Sequence, residues 1–372
     1  MSAASVYLDH NATSPLRPAA FDAMAEALKA GGNPSSVHKS GRAARARIEA
    51  ARRQVATLVG TLPAEIVFTS GGTEANNLAL KGAGRQRVLA AAVEHDSVLK
   101  AGPCKIVPVD RNGVVDLAAL EHLLAGSQEP ALVSVMFANN ETGVLQPIAE
   151  VVRLAHAAGA LVHCDAVQGA GKQRVDLQGL GVDYLSLSAH KLGGPAGVGA
   201  LVVRAGAPFA TDRKGGGQES NRRAGTENVA GIVGFGAAAE AARDGIDVAG
   251  FRDRLEMELL KVAPQAKVYG ADAQRLSNTT CISMPGVRAE TQVMALDLAG
   301  VCVSAGAACS SGKVSRSAVL TAMGVEPSEA ETALRISSGW NTVLEDIDCL
   351  IAAWRDLYTR VTHSDMSRAR AA

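Results

Sequence analysis

A lysine at the end of an apolar run is the first residue able to do chemistry. In SLSAHKLGGPAGVGALVV (186–203) a strand ends at Ser188 and delivers His190 and Lys191 to a tip, ahead of Gly193, Gly194 and Pro195. A lysine at the mouth of an open α/β sheet stands where such folds place ligands. The segment suits a solvated turn. It also suits an amine that condenses with a carbonyl cofactor, with Ser188 and His190 beside it. A second segment, EIVFTSGGTEANNLAL (65–80), runs a strand through Ser-Gly-Gly-Thr into a helix. Glycines such as Gly72 let the backbone approach an anion, the helix start supplies N–H groups, and Thr73 adds a hydroxyl. Neither a Walker loop nor G-x-G-x-x-G spacing is present, and a plain N-cap is the competing reading.

In LVHCDAVQGAGK (161–172), Asp165 closes an apolar strand and Gln168 follows three residues later. A carboxylate there needs a partner, which a pyridinium nitrogen or a helix start would supply. His95 in AAVEHDSVL, and Asn139, Asn140 and Glu141 in MFANNETGVLQP, end two more strands. A structural histidine and an Asn-Asn turn are the alternatives there. Arg335 leaves the strand-like LRISSGWNT and can take a carboxylate by two parallel hydrogen bonds, or form an ion pair. The six cysteines are Cys104, Cys164, Cys281, Cys302, Cys309 and Cys349. None form a C-x-x-C pair, so zinc and thioredoxin-type sites are disfavoured. Cys309 sits among small residues in VCVSAGAACSSGKVSRSAVL, the context of an exposed loop where a thiol reaches substrate. The other five lie in or beside apolar runs and read as inert.

The elements that must position these groups are short apolar strands alternating with helical stretches. Strands are expected at 65–69, 87–92, 105–109, 131–137, 161–165, 184–188 and 199–203. Helices are expected at 41–60, with its arginines facing solvent, and at 147–159. This alternation means an α/β fold with a mainly parallel sheet. After about residue 250 the pattern changes to a helix at 251–264 followed by strands in NTTCISMPG, VCVSAG and LRISSG. Two domains are expected: a large one over 15–250 and a smaller α+β one over 251–372, joined by 1–14. The tail HSDMSRARAA reads as frayed.

Composition narrows the class of function. The 372 residues are 47% hydrophobic and 20% charged, enough for a real core. Lys+Arg and Asp+Glu are both 37, so no basic field draws the chain onto nucleic acid or an anionic membrane. No apolar run approaches the roughly 20 residues of a membrane span. The first residues lack the pattern of a signal peptide, so free thiols in a reducing cytoplasm are expected. No metal site is expected.

Together, an amine at a strand end, an anion cradle, an aspartate and a neighbouring histidine describe a pyridoxal 5′-phosphate site. The chain resembles the cysteine desulfurases of the NifS/IscS type, in the class V aminotransferase group of fold-type I enzymes. The resemblance runs in order through YLDHNATSP, NPSSVHKSGRAAR, SGGTEANN, EHDSVL, NNETG, DAVQ, SAHK, RRAGTEN, SAGAACSSG and RISSG, covering about residues 6–350. It implies that Lys191 binds the cofactor and moves the Cα proton, and that His95 stacks on the ring. Asp165 would pair with the ring nitrogen and Gln168 with the ring hydroxyl. Gly72, Thr73, Ser188 and His190 would hold the phosphate, completed by Thr226 from the second subunit of a homodimer. Asn140 and Arg335 would hold the carboxylate of L-cysteine. Cys309 would take the sulfur as a persulfide, leaving L-alanine, and pass it to an acceptor protein such as an iron–sulfur scaffold. The long stretch after Cys309 resembles the NifS/IscS group rather than the SufS group. Ala307-Ala308 and Leu192 depart from the usual pattern, and the tail carries no match to acceptor-docking tails. Competing readings are a selenocysteine lyase or aminotransferase of the same fold, for which Cys309 on a loop is unneeded in the latter. A catalytically silent sulfur-relay scaffold is a third, against which stand Lys191, His95 and Cys309.

Overall fold

The computed structural model describes residues 5–306 and 316–371, with side chains as far as Thr362. Its largest sheet has seven strands. They are β2 (Ile66–Thr69), β3 (Arg87–Ala91), β4 (Lys105–Val107), β5 (Ala131–Ser134), β6 (Leu161–Asp165), β7 (Tyr184–Ser188) and β8 (Gly199–Val203). Their order across the sheet is β2-β8-β7-β6-β5-β3-β4. Strands β3 to β7 pair in parallel, while β8 lies antiparallel to both β2 and β7. The central strands are buried on both faces, as crossover helices require, which is why they read as continuous apolar runs. All seven fall within a residue or a few of the expected spans.

Two smaller sheets lie outside this one. In the first, β1 (Val6–Tyr7) pairs in parallel with β10 (Val301–Cys302). In the second, β9 (Thr279–Ser283), β11 (Ser304–Ala305) and β12 (Ala333–Ser337) form an antiparallel sheet with β12 in the middle. The single strand expected in VCVSAG is therefore two, one in each sheet, divided at Val303. Leu8 is buried with Ile282, Leu334, Ile336, Leu350 and Trp354, so the N-terminal residues share a core with residues from the last hundred.

The helix Lys39–Leu58 shows how patterning sets packing. Ala44, Ile48, Ala51 and Val55 recur on one helical face and are buried. That face meets the helix Val229–Ala241, where a Cβ on Gly236 would come within 2.6 Å of the Ala51 Cα. The expectation that the arginines of this helix face solvent fails at Arg52, which is buried. Its guanidinium donates to both carboxylate oxygens of Glu219, at 2.7 and 2.9 Å. Glu219 Oε2 also accepts from the Phe68 N–H at 2.9 Å, which ties both to β2. Glu219, Ser220 and Asn221 are successive left-handed residues, with φ of 48°, 56° and 65°. This strained turn is held by the buried ion pair.

Two more expectations need correction. The backbone is helical from Leu344 through Ala371, so the tail is not frayed at the backbone. Its Ala, Arg and Met are good helix formers, and neither Gly nor Pro interrupts them. Cys349 is exposed rather than an inert core thiol, because it falls on the outer side of this helix, while Cys164 and Cys281 are buried. Among the described residues, no helix is long and apolar enough to cross a membrane.

Candidate active site

The carboxyl ends of the parallel strands frame one cavity of about 230 Å³. Asp165 and Ser188 are the last residues of β6 and β7. His190 and Lys191 follow in the single-turn helix Ala189–Lys191. His95 comes shortly after β3, at the N-cap of the short helix Asp96–Leu99. Asn140 lies in the turn after β5, where the Asn139 Oδ1 accepts from the Glu141 and Thr142 N–H groups at 2.9 and 3.0 Å. Gly72 opens the helix Gly72–Gly82, whose N-cap Gly71 has φ of 152° and no capping side chain. The cavity wall thus takes in nine of the residues singled out: Gly72, Thr73, His95, Asn140, Asp165, Gln168, Ser188, His190 and Lys191.

The wall near Gly72 is tight. A Cβ there would stand 2.8 Å from Val167 Cγ2 and 3.5 Å from the Ser188 Cβ, so only glycine brings the helix start this close. The unpaired N–H groups of a helix start, a threonine and a serine make this wall a donor surface for an anion. Asp165 gives the opposite chemistry. Its Oδ2 accepts from the Asn76 Nδ2 at 2.7 Å and its Oδ1 from the Val167 N–H at 3.0 Å. Asn76 also donates to the Ser97 Oγ at 2.8 Å, while among the described residues its own buried Oδ1 has no partner. Ser97 Oγ lies 2.7 Å from the His95 Nδ1, which also accepts from the Ser97 N–H at 3.1 Å. An Nδ1 that accepts an N–H leaves the ring proton on Nε2. Asn76 thereby links the histidine to the aspartate.

Lys191 Nζ donates to the carbonyls of Asn11 and Ala12, at 2.6 and 2.8 Å. Those residues come from the N-terminal segment, which also seats Thr13 Oγ1 3.0 Å from the His190 Nδ1. Burial, with Lys191 and Lys172 nearby, pulls His190 down to about 4, so its ring is neutral near pH 7. Glu94 is buried close enough to Asp165 to feel its charge. Burial and the Asp165 charge hold its carboxyl well above the ordinary range, and it accepts from the Met136 N–H.

Two expected residues lie off the cavity wall. Arg335 is buried in β12, where it donates to Asp9 Oδ1 at 2.7 Å and to the Asn140 carbonyl at 3.4 Å, with Nε unpartnered among the described residues. Among the described residues, Asn140 is the cavity-wall residue it hydrogen-bonds. Thr226 is exposed and borders a separate hollow with Ser70, Glu219 and Arg223. Cys309 lies outside the described residues. Asn11, Asn76 and Lys172 were not singled out in the sequence. Spacing offered a signal for two of them: Asn76 is one turn along the helix from Gly72 and Thr73, and Lys172 is four residues beyond Gln168.

A donor-rich helix start, a carboxylate fixed by two donors, a ring-sized space and a lysine amine fit the phosphate, ring nitrogen and aldehyde of pyridoxal phosphate. Comparisons with known proteins agree on the family. The model for aminotransferase class-V matches residues 6–350. A protein of Cereibacter sphaeroides named cysteine desulfurase is 46% identical over 365 residues, covering 93% of this chain and 94% of that one. Cysteine desulfurase IscS of Dictyoglomus turgidum is 41% identical over 365 residues, covering 92% of each. Among solved structures, a NifS-like protein from Rickettsia africae superposes with a TM-score of 0.89 at 37% identity, over 95% of this chain and 99% of that one. With a family match over nearly its whole length, the chain belongs to the aminotransferase class-V family, in its cysteine desulfurase group.

Proposed function

We propose that the protein is a pyridoxal phosphate-dependent cysteine desulfurase. It converts L-cysteine to L-alanine and takes the sulfur onto Cys309. The observation that carries this reading is the meeting of Lys191, Asp165, His95 and the Gly72–Thr73 helix start on one cavity wall. When bound, pyridoxal phosphate supplies an electron sink that acidifies the substrate Cα–H and opens the substrate sulfur to attack.

The chain's own residues do the rest. Lys191 would hold the cofactor by its amine, and the same amine would move the substrate Cα proton. His95, with its proton on Nε2, packs on the ring and acts as proton donor. Asp165 accepts from the ring nitrogen, and Asn76 and the Val167 N–H keep its carboxylate facing that way. Gln168 meets the ring hydroxyl. Gly72, Thr73, Ser188 and His190 hold the phosphate, and Thr226 of a second copy completes the cradle in a homodimer. Asn140 and Arg335 take the substrate carboxylate, and among the described residues the buried Nε of Arg335 has no other partner. The Cys309 thiolate forms an S–S bond to the substrate sulfur as the Cβ–S bond breaks, and Cβ gains a proton to give alanine. The persulfide then passes to an acceptor protein, such as a scaffold for iron–sulfur cluster assembly, in the cytoplasm. In this reading residues 15–250 carry the cofactor, and 251–372 with 1–14 carry the thiol.

The test is turnover of L-cysteine with a reductant, reading alanine and sulfide together. Equal amounts are expected from the wild type. Cys309→Ala should lose more than 100-fold of both (roughly the scale for removing a nucleophile) while keeping the bound cofactor's absorbance. Alanine release by Cys309→Ala at the wild-type rate would sink the assignment of the thiol. A keto acid in place of alanine would point to an aminotransferase.

A further inference from the structure

Behind the cavity lies a buried base that the proposed chemistry leaves without a task. Lys172 is 7% exposed, and among the described residues it forms no ion pair. Burial, with Lys191 and Arg335 nearby, holds its amine well below the ordinary lysine value. Among the described residues its Nζ makes two hydrogen bonds, both to amide oxygens. It donates to Asn11 Oδ1 at 2.6 Å and to Gln168 Oε1.

An amide side chain has an accepting end and a donating end, and which end faces which way is decided by its neighbours. With Lys172 on Oε1, Gln168 turns its Nε2 to the Asn11 carbonyl at 3.0 Å. The reverse orientation would set Oε1 against that carbonyl, acceptor against acceptor. Nε2 carries a second N–H, and Gln168 lines the cavity. The same amine fixes Asn11. Its Oδ1 is taken by Lys172 and by Asn278 Nδ2 at 3.2 Å, so its Nδ2 turns to the Asn140 carbonyl at 3.1 Å and Thr279 Oγ1 at 2.9 Å.

We propose that Lys172 is a positioning residue: it holds the Gln168 amide with its N–H end toward the cavity, where it donates to an oxygen on the cofactor ring. The proposal rests on the reading of the cavity as a pyridoxal phosphate site. A ring oxygen that receives this N–H is favoured in its anionic form, so losing the donor raises the pH at which the bound cofactor's absorbance changes.

The experiment compares wild-type holoenzyme with Lys172→Met, Gln168→Ala and the double variant. It reads the midpoint of the cofactor's absorbance against pH, and the dissociation constant for pyridoxal phosphate. Each single change should raise the midpoint by about one unit and weaken cofactor binding roughly 5–10-fold, the scale of one hydrogen bond. The double variant should move no further than Gln168→Ala alone, because Lys172 acts through Gln168. Lys172→Gln is the second variant should Lys172→Met not fold. It keeps a polar group in place but offers oxygen as readily as N–H, so a shift in the same direction is expected. A shift in Gln168→Ala without one in the folded Lys172 variants overturns the proposal, as does an additive double variant. An unshifted Gln168→Ala removes the ring contact and the proposal with it. A wild type without any cofactor band would instead overturn the underlying reading of the site.

Discussion

Asn76 shows what a single amide contributes to this site. Its two N–H groups reach the Asp165 carboxylate and the Ser97 hydroxyl, and Ser97 in turn holds the His95 ring. Asn76→Ala removes both donors and leaves Asp165 Oδ2 in a buried place without its side-chain partner. A loss of about 10–100-fold in kcat/KM for L-cysteine is expected, with weaker cofactor binding and little change in secondary structure. Steady-state kinetics with a cofactor titration checks this, and a variant with wild-type values for both would deny Asn76 its linking role. Asn76 was visible in the sequence only as one letter of SGGTEANN, because a buried amide and an exposed one look alike until helical phase and partner are known. Lys191, Asp165 and Gln168 were legible because each ends an apolar strand or follows it within three residues, where the α/β arrangement sends strand ends into a common crevice. Arg335 suits a carboxylate clamp or an ion pair by its type, but which carboxylate pairs with it, Asp9 more than 300 residues away in sequence, has no local signal.

At the scale of elements, strands announced themselves better than contacts between them did. Seven apolar runs became the seven strands of the large sheet, but pairing order and the antiparallel β8 are set by crossovers that composition does not encode. Arg52 was misread for the same reason. Its helix is arginine-rich, and only the Glu219 turn makes one of those arginines face inward. Removing one member of a buried ion pair leaves the other charge stranded. Glu219→Ala and Arg52→Met should each cost about 3–5 kcal/mol in chemical denaturation. The pair Arg52→Met with Glu219→Leu should recover a good part of that, since neither charge is then buried. Single changes costing under about 1 kcal/mol would mean that the pair is not what holds the strained turn.

Over the whole molecule, buried titratable groups give stability opposing slopes with pH. His163 bridges Ser134 and Ser186 across three strands and is held down to about 4 by burial, as are His10 and His190. For a histidine whose folded value is depressed, the unfolded chain binds more protons. Stability therefore falls as pH drops from about 6.5 toward 4. Glu141 acts the other way. Burial raises it to about 7, and the Ser317 Oγ donates to it at 2.6 Å. Here the folded chain binds more protons, so its contribution declines as pH rises from about 4.5 to about 7 and is flat above. Glu141→Gln should therefore gain stability relative to wild type across that window, by an amount on the order of 3 kcal/mol at pH 8, and little at pH 4. Denaturant midpoints at several pH values measure this, and a difference that does not grow with pH would reject it. The N-terminal segment carries a further consequence. Val6 pairs with Val301, Asp9 with Ser337, and Ser14 donates its N–H to the His190 carbonyl. Residues 6–14 thus leave the ribosome well before residues 301–337, which make their seat. During synthesis the sheet that bears Lys191 is complete before β10 and β12 exist to anchor residues 6–14 against it, so that wall of the cavity closes only once β12 has been made.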